Sequence, residues 1–191
     1  MTFLDGIAAV VLFLQLPIPL YWFVVHPLVG FWRTRPKAAY ITGLLCAWPP
    51  VTAAMIFWRH ELFRSTWPDA GAIVAGTGLI VFEGWIFWRV HKDLGIARLV
   101  GKTELSGGGA IESGGIYGVI RHPRYAGSFL AILGACCLAG TRSTWVVAAV
   151  WLMLMLAAIS LEERELRRRF GVPYADYCQR VPRLLPRYDK P

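Results

Sequence analysis

Charge is scarce in this chain, and acidic charge scarcer still. Of its 191 residues 17% are charged, with 12 Asp and Glu set against 20 Lys and Arg. Ordinary soluble domains carry about 25% charge, so this deficit, beside 56% hydrophobic residues, excludes a typical soluble domain. Cysteine is also sparse: Cys46, Cys136, Cys137 and Cys178 form no Cys-x-x-Cys pair, and three lie in apolar runs. That excludes a disulfide framework and a zinc site, and no metal is expected. No Lys-Ser or Lys-Thr follows the glycines of 106–109 and 113–115, so there is no phosphate loop. No strand precedes them, so there is no dinucleotide fingerprint. No basic n-region or cleavage site precedes the first apolar run, which reads as a retained helix. The +8 net charge follows a topological pattern instead of lining a groove, so nucleic acid is not an expected partner.

What is present is a series of long apolar runs. They cover about Gly6–Val25, Ala38–Trp58, Ala70–Val90, Tyr125–Gly140 and Thr144–Leu161. A span needs roughly 20 residues, so the fourth run is marginal. Only Thr141, Arg142 and Ser143 separate it from the fifth, and the two are expected to form a tight hairpin. The fold class is all-α, an integral membrane protein with about five transmembrane helices and one domain over 1–191. Pro17 and Pro19 predict a kink in the first helix. Trp22, Trp32, Trp58 and Trp145 lie near run ends, where amphipathic rings favour the interface. Lys and Arg crowd three segments: 33–37, 89–124 and 164–190. Only Arg59, Arg64 and Arg142 fall on the other side. This bias orients the N-terminus outside and the C-terminus in the cytoplasm. It also puts the long third loop, 91–124, and the tail, 162–191, on one face.

Three polar features stand out. Arg121-His122-Pro123-Arg124-Tyr125 opens the fourth helix, with Pro123 suited to its first turn. Glu83 lies well inside the third run, where a carboxylate must be paired, protonated or lining a cavity. Glu162-Glu163 ends the fifth run and leads into Arg164-Glu165-Leu166-Arg167-Arg168-Arg169, a helix leaving the bilayer and stopped by Gly171. Gly127, Ala131, Gly134 and Ala135 form a small-residue face for close helix packing. The hairpin would bring Glu162 and Glu163 beside Arg121 and His122.

Gly115, Tyr117, Arg121-His122-Pro123, Tyr125 and Gly127, followed by Glu162-Glu163, Leu166, Phe170-Gly171, Tyr174, Tyr177 and Val181-Pro182, resemble a family of membrane methyltransferases. It includes isoprenylcysteine carboxyl methyltransferase and phosphatidylethanolamine N-methyltransferase. The resemblance covers about the last hundred residues and implies a catalytic core over 91–191. It implies S-adenosylmethionine as cofactor, bound on the cytoplasmic side under a helical cover made by the tail. His122, Pro123, Arg124 and Tyr125 would line the cofactor pocket with Tyr117 and Glu162, and the backbone of Gly109, Ala110, Ile111 and Glu112 would run along it. Carboxyl-methylating members carry an arginine four residues before the first glutamate, where this chain has Ala158.

Methyl transfer from a sulfonium is a one-step displacement that needs alignment and exclusion of water. Arg121 or His122 is expected to pair with the cofactor's carboxylate, and Glu162 to accept from its ribose or amino group. Arg124 and Arg164 would hold an anionic headgroup, with Glu83 on the substrate side. The acceptor would be a lipid or lipidated molecule, either a phospholipid amine or an isoprenylcysteine carboxylate. An amine must first lose a proton, to Glu163, His122 or water. Ala158 and the spare carboxylates tilt the reading towards an amine or another small lipidic acceptor. Two other readings stay open. One is a sterol-reductase-like enzyme using NADPH. The other is a membrane transporter or scaffold, although no internal repeat is present.

Overall fold

The computed structural model describes residues 2–63, 68–94, 105 and 110–187. Arg64 and Gly109, named above, lie outside them, as do the parts of the basic segments at 95–104 and 188–190. The described residues are helical throughout, without a strand. In chain order the helices are α1 (Phe3–Gln15), α2 (Ile18–Val25), α3 (Val29–Trp32), α4 (Pro36–Phe57), α5 (Arg59–Leu62), α6 (Ala70–Leu94), α7 (Pro123–Ala139), α8 (Arg142–Phe170) and α9 (Val172–Arg180), with a 3₁₀ turn at Gly115–Gly118 before α7.

Among the described residues, four segments are long and apolar enough to cross a membrane: Phe3–Val25, Pro36–Phe57, Ala70–Asp93 and Arg142–Phe170. α7, with 17 residues, spans about 26 Å at 1.5 Å per residue, against a hydrocarbon core of about 30 Å. It is nonetheless the best-buried helix, with Tyr125, Gly127, Ser128, Ala131, Ile132, Gly134, Ala135, Cys136 and Leu138 all covered. Its most extensive neighbours are α6 and then α1. Its contact with α8 is smaller, so the last two helices form less of a closed pair than their short connection suggests. Small residues explain the α6 contact. A Cβ on Gly134 would stand 2.7 Å from the Gly76 carbonyl, and one on Gly76 would stand 2.8 Å from that of Gly134. The two backbones therefore touch, with Gly127 lying farther along against Glu83 and Ile86.

The expected kink is a break. α1 ends at Gln15 and α2 starts at Ile18. Pro19 has no N–H to give the Gln15 carbonyl, and the Trp151 indole donates to that carbonyl instead, at 3.0 Å. This bond joins the first span to α8. Between α7 and α8, Gly140 takes a left-handed φ of 64°. Thr141 then caps α8, its hydroxyl accepting from Thr144 N at 3.3 Å and donating to the Leu62 carbonyl at 3.0 Å. Around α1, α2, α7 and α8 a single core forms, including Leu12, Trp22, Ile132, Trp151, Met155 and Ile159. α4 and α6 pack one face against it, with Ala39, Ile73 and Ile80, and on the other expose Ile41, Leu45, Val81, Phe82, Trp85 and Trp88, an apolar band suited to lipid.

The ends of the bundle differ. Leu62, Gly140 and Thr141 meet at one end. At the other, Arg33 bonds Glu165 at 2.6 Å, and Ile116 N donates to Asp93 Oδ2 at 3.1 Å. Arg33, Asp93, Arg121 and the tail thus share one end, as their charge pattern requires.

Candidate active site

The site is assembled where α7 begins and α8 turns polar. Pro123 at the first position of α7 leaves His122 as the cap, with non-helical torsions. The backbone N–H groups of Arg121 and His122 are therefore free of the helix, and they donate to the carbonyls of Pro182 (2.8 Å) and Arg183 (3.1 Å). The tail is thereby stitched to the start of α7. α9 lies above it, burying Tyr174, Tyr177 and Val181 against Ile111, Leu166 and Phe170. Gly171 reverses the chain between α8 and α9 with φ 59°.

Glu163 is the hub. Its Oε1 accepts from Arg121 Nη2 at 2.8 Å and Nε at 3.2 Å, and lies 3.1 Å from His122 Nε2. Its Oε2 is 3.2 Å from Arg183 Nη2, which also donates to Ser160 Oγ at 3.0 Å. Arg121 spends its remaining donor on the tail, giving Nη1–H to the carbonyls of Cys178 and Val181. These charge-assisted bonds are the strong kind, and they close a buried ring of α7, α8 and tail.

Glu162 is less committed. Its Oε2 accepts from the Tyr125 hydroxyl at 2.7 Å and lies 3.9 Å from His122 Nδ1. The imidazole stacks on Tyr125 with ring centroids 5.6 Å apart. Tyr117 lies within electrostatic reach of Glu162, Arg124 and Asp93, and burial pushes its phenol pKa well up. Its carbonyl accepts from the Tyr177 hydroxyl at 2.7 Å. Gly115 positions this turn: its φ is +52°, and a Cβ there would strike the Asp93 carboxylate. Two buried polar atoms here have no hydrogen-bond partner, Arg183 Nε and the Tyr174 hydroxyl. The hydroxyl is in reach of Glu162 and Glu163, and burial raises its pKa strongly.

The structure therefore brings together Tyr117, Arg121, His122, Pro123, Tyr125, Glu162 and Glu163, with Ile111 and Glu112 close by through the tail and the 3₁₀ turn. Glu112 Oε1 accepts from Gly114 N at 3.2 Å, and Ala110 is exposed. Arg124 lies against α6, its guanidinium 5.2 Å from the Phe87 ring, and is within electrostatic reach of Tyr117. It lies within electrostatic reach of Glu83, which packs on Gly127. Arg164 stands on a different wall, facing α2 and α3, so the two arginines do not converge. Arg183 and Tyr174 were not assigned roles from sequence. The signal for Arg183 was its place just after Val181-Pro182.

Residues 72–172, more than half of the chain, match the phospholipid methyltransferase family. The chain belongs to that family. Methanethiol S-methyltransferase 2 of Bradyrhizobium diazoefficiens is 34% identical over 147 residues, 70% of this chain and 54% of its own length. Protein-S-isoprenylcysteine O-methyltransferase of Rattus norvegicus is 30% identical over 77% of this chain and 51% of its own. Methanethiol S-methyltransferase 1 of the same Bradyrhizobium is 38% identical over 61% and 39%. The chain thus spans about half the length, or less, of these curated relatives. No solved structure matches. All three named relatives are methyltransferases, and none is a reductase or transporter. The family match starts in α6 and ends at Val172, so it takes in every α7 and α8 residue of the cluster.

Proposed function

We propose that this chain is an S-adenosylmethionine-dependent methyltransferase acting on a membrane-partitioning acceptor at the cytoplasmic face, with a catalytic core over 91–191. The observation that carries the reading is the ring of Arg121, His122, Glu163 and Arg183, which fastens the tail over a less committed Glu162 and an unpartnered, buried Tyr174 hydroxyl. An unsatisfied buried hydroxyl costs about 1–3 kcal/mol, so a polar ligand fits there. The donor would supply a methyl group on a sulfonium.

The chain's own groups would do the rest. Glu162 accepts from the donor's hydroxyls or amino group, and Tyr174 hydrogen-bonds beside it. Tyr117, His122, Pro123 and Tyr125 form the wall, with the backbone of 109–112 along one edge. Arg121 and Glu163 hold the cover shut and keep water out; their donors and acceptors are spent on each other and on the tail. Glu163 faces two guanidinium groups and an imidazole, which favour its ionised form and make it a poor proton acceptor. If the acceptor needs a base, His122 is better placed. Arg124 on α7 and Glu83 on α6 flank the acceptor's route from the bilayer.

The acceptor divides into two readings. A phospholipid amine or prenylcysteine carboxylate is the first. A small thiol is the second, favoured by the two methanethiol S-methyltransferases among the relatives and by Ala158. That residue is buried to 1% exposure where carboxyl-methylating relatives are expected to hold an arginine. The test is labelled S-adenosylmethionine with purified protein and three acceptor arms: lipid extract, a prenylcysteine and methanethiol. Label in one arm identifies the class. Label in none, from folded protein, overturns the reading.

A further inference from the structure

On the other side of α8 lies a second polar cavity that the cluster above does not use. It encloses about 400 Å³ and is lined by His26, Pro27, Val29, Gly30 and Arg33 from the α2–α3 corner, and by Leu161, Arg164, Glu165, Arg168 and Arg169 from α8. Four arginines face one carboxylate. Arg33 holds Glu165 Oε1 at 2.6 Å, with Arg169 Nη1 4.0 Å away. Neither Arg164 nor Arg168 has an ion pair among the described residues.

The interior is unsatisfied in a specific way. His26 is 5% exposed and stacked on Trp22 at 4.8 Å, yet neither ring nitrogen has a partner. Arg169 Nη2 and Glu165 Oε2 are likewise buried and unpartnered. Native proteins leave few such groups. Here two donors and two acceptors are left over within one cavity, since a neutral imidazole offers one of each. A simple topological flank would leave its cations in water.

We infer that this cavity binds the headgroup of an anionic phospholipid that carries free hydroxyls, of the phosphatidylglycerol type. The phosphodiester answers the arginines and one imidazole nitrogen, and the hydroxyls answer Glu165 Oε2 and the other nitrogen. A lipid, not a soluble phosphate, is indicated by depth. Leu161, where the apolar part of α8 ends, lines the cavity, and the same α2–α3 corner exposes Leu28 (54%) and Phe31 (49%). The cavity adjoins the cluster around Glu162, which lies within electrostatic reach of both His26 and Glu165, but the lipid assignment does not rest on methyl transfer.

The test is native mass spectrometry of the full chain released from detergent with equal amounts of phosphatidylglycerol and phosphatidylcholine. Retention of phosphatidylglycerol at least tenfold over phosphatidylcholine is expected. Arg164→Gln with Arg168→Gln, both on exposed side chains, should abolish that preference, and the paired Arg→Lys changes should keep most of it. Arg180→Gln, on α9, should leave it unchanged. Equal retention of the two lipids overturns the assignment. So does an equal loss in Arg180→Gln, which would mean net charge alone. Displacement by millimolar inorganic phosphate would overturn the lipid source.

Discussion

Glu163 and Glu165 lie two positions apart on α8, about 200° around the helix, and their surroundings are opposites. Glu163 has both oxygens engaged, by Arg121, His122 and Arg183. Glu165 has one oxygen engaged by Arg33 and the other buried without a partner. Both are 8% exposed. Equal burial with unequal satisfaction separates a closed clamp from a face with polar capacity to spare. The first face spends its charge holding two distant stretches of chain together. The second keeps charge in reserve, which is what binding something else requires.

The largest expected effect tests the closed face. Glu163→Ala removes the shared partner of two guanidinium groups and an imidazole. Breaking a buried ion pair this way costs about 3–5 kcal/mol. Thermal melting in detergent should fall accordingly, and trypsin should cut the tail at Arg180 and Arg187 at doses the parent chain resists. A tail equally resistant in both proteins would show that the clamp does not hold it.

Gly115→Ala attacks the same face from the 3₁₀ turn. The left-handed φ and the collision with Asp93 predict a loss of about 1–3 kcal/mol, read by the same melt. Asp93→Ala should recover part of it by removing the collision. Glu165→Gln, on the open face, should cost about 1 kcal/mol or less, because Arg33 is 35% exposed and water takes over its solvation. A cost equal to that of Glu163→Ala would erase the contrast.

The smallest effect is a pH dependence. Burial pushes the Tyr177 phenol from 10.0 up to about 12. The folded chain holds this proton more tightly than the unfolded one, so the group's stabilisation is complete below pH 10 and is lost as the pH rises through about 12. Tyr177→Phe should flatten the melting profile across that window. It should also lose the bond to the Tyr117 carbonyl at every pH.

Much of the architecture was readable from apolar runs, because lipid demands them. The runs located the long helices and α7, and Pro17 marked the break. Where a helix left the apolar layer, charge order took over from hydropathy as the signal: acids followed by arginines, then Gly171, marked the end of α8 at Phe170. α6 likewise runs on past Val90 to Leu94. α3 and α5, four residues each, are too short to show a period. Periodicity also marks a face without naming its partner: the small residues of α7 were evident, but not that they meet Gly76. At the site, Arg121, His122, Glu162 and Glu163 were legible because polar groups at the ends of apolar runs are conspicuous. Their grouping also agrees with the motif spacing. Arg183 was not, because its role depends on how the tail folds back. His26 was missed altogether; a histidine and a proline closing an apolar run were the only signal.

The central claim is that Glu162 and the residues clamped around it hold S-adenosylmethionine. Equilibrium titration of labelled S-adenosylmethionine against the purified chain tests it most directly, with Glu162→Gln in parallel. The account predicts saturable binding, weakened about tenfold or more by loss of a charge-assisted hydrogen bond, while Arg180→Gln binds like the parent. No binding by the folded parent chain, or an unchanged affinity in Glu162→Gln, would contradict it.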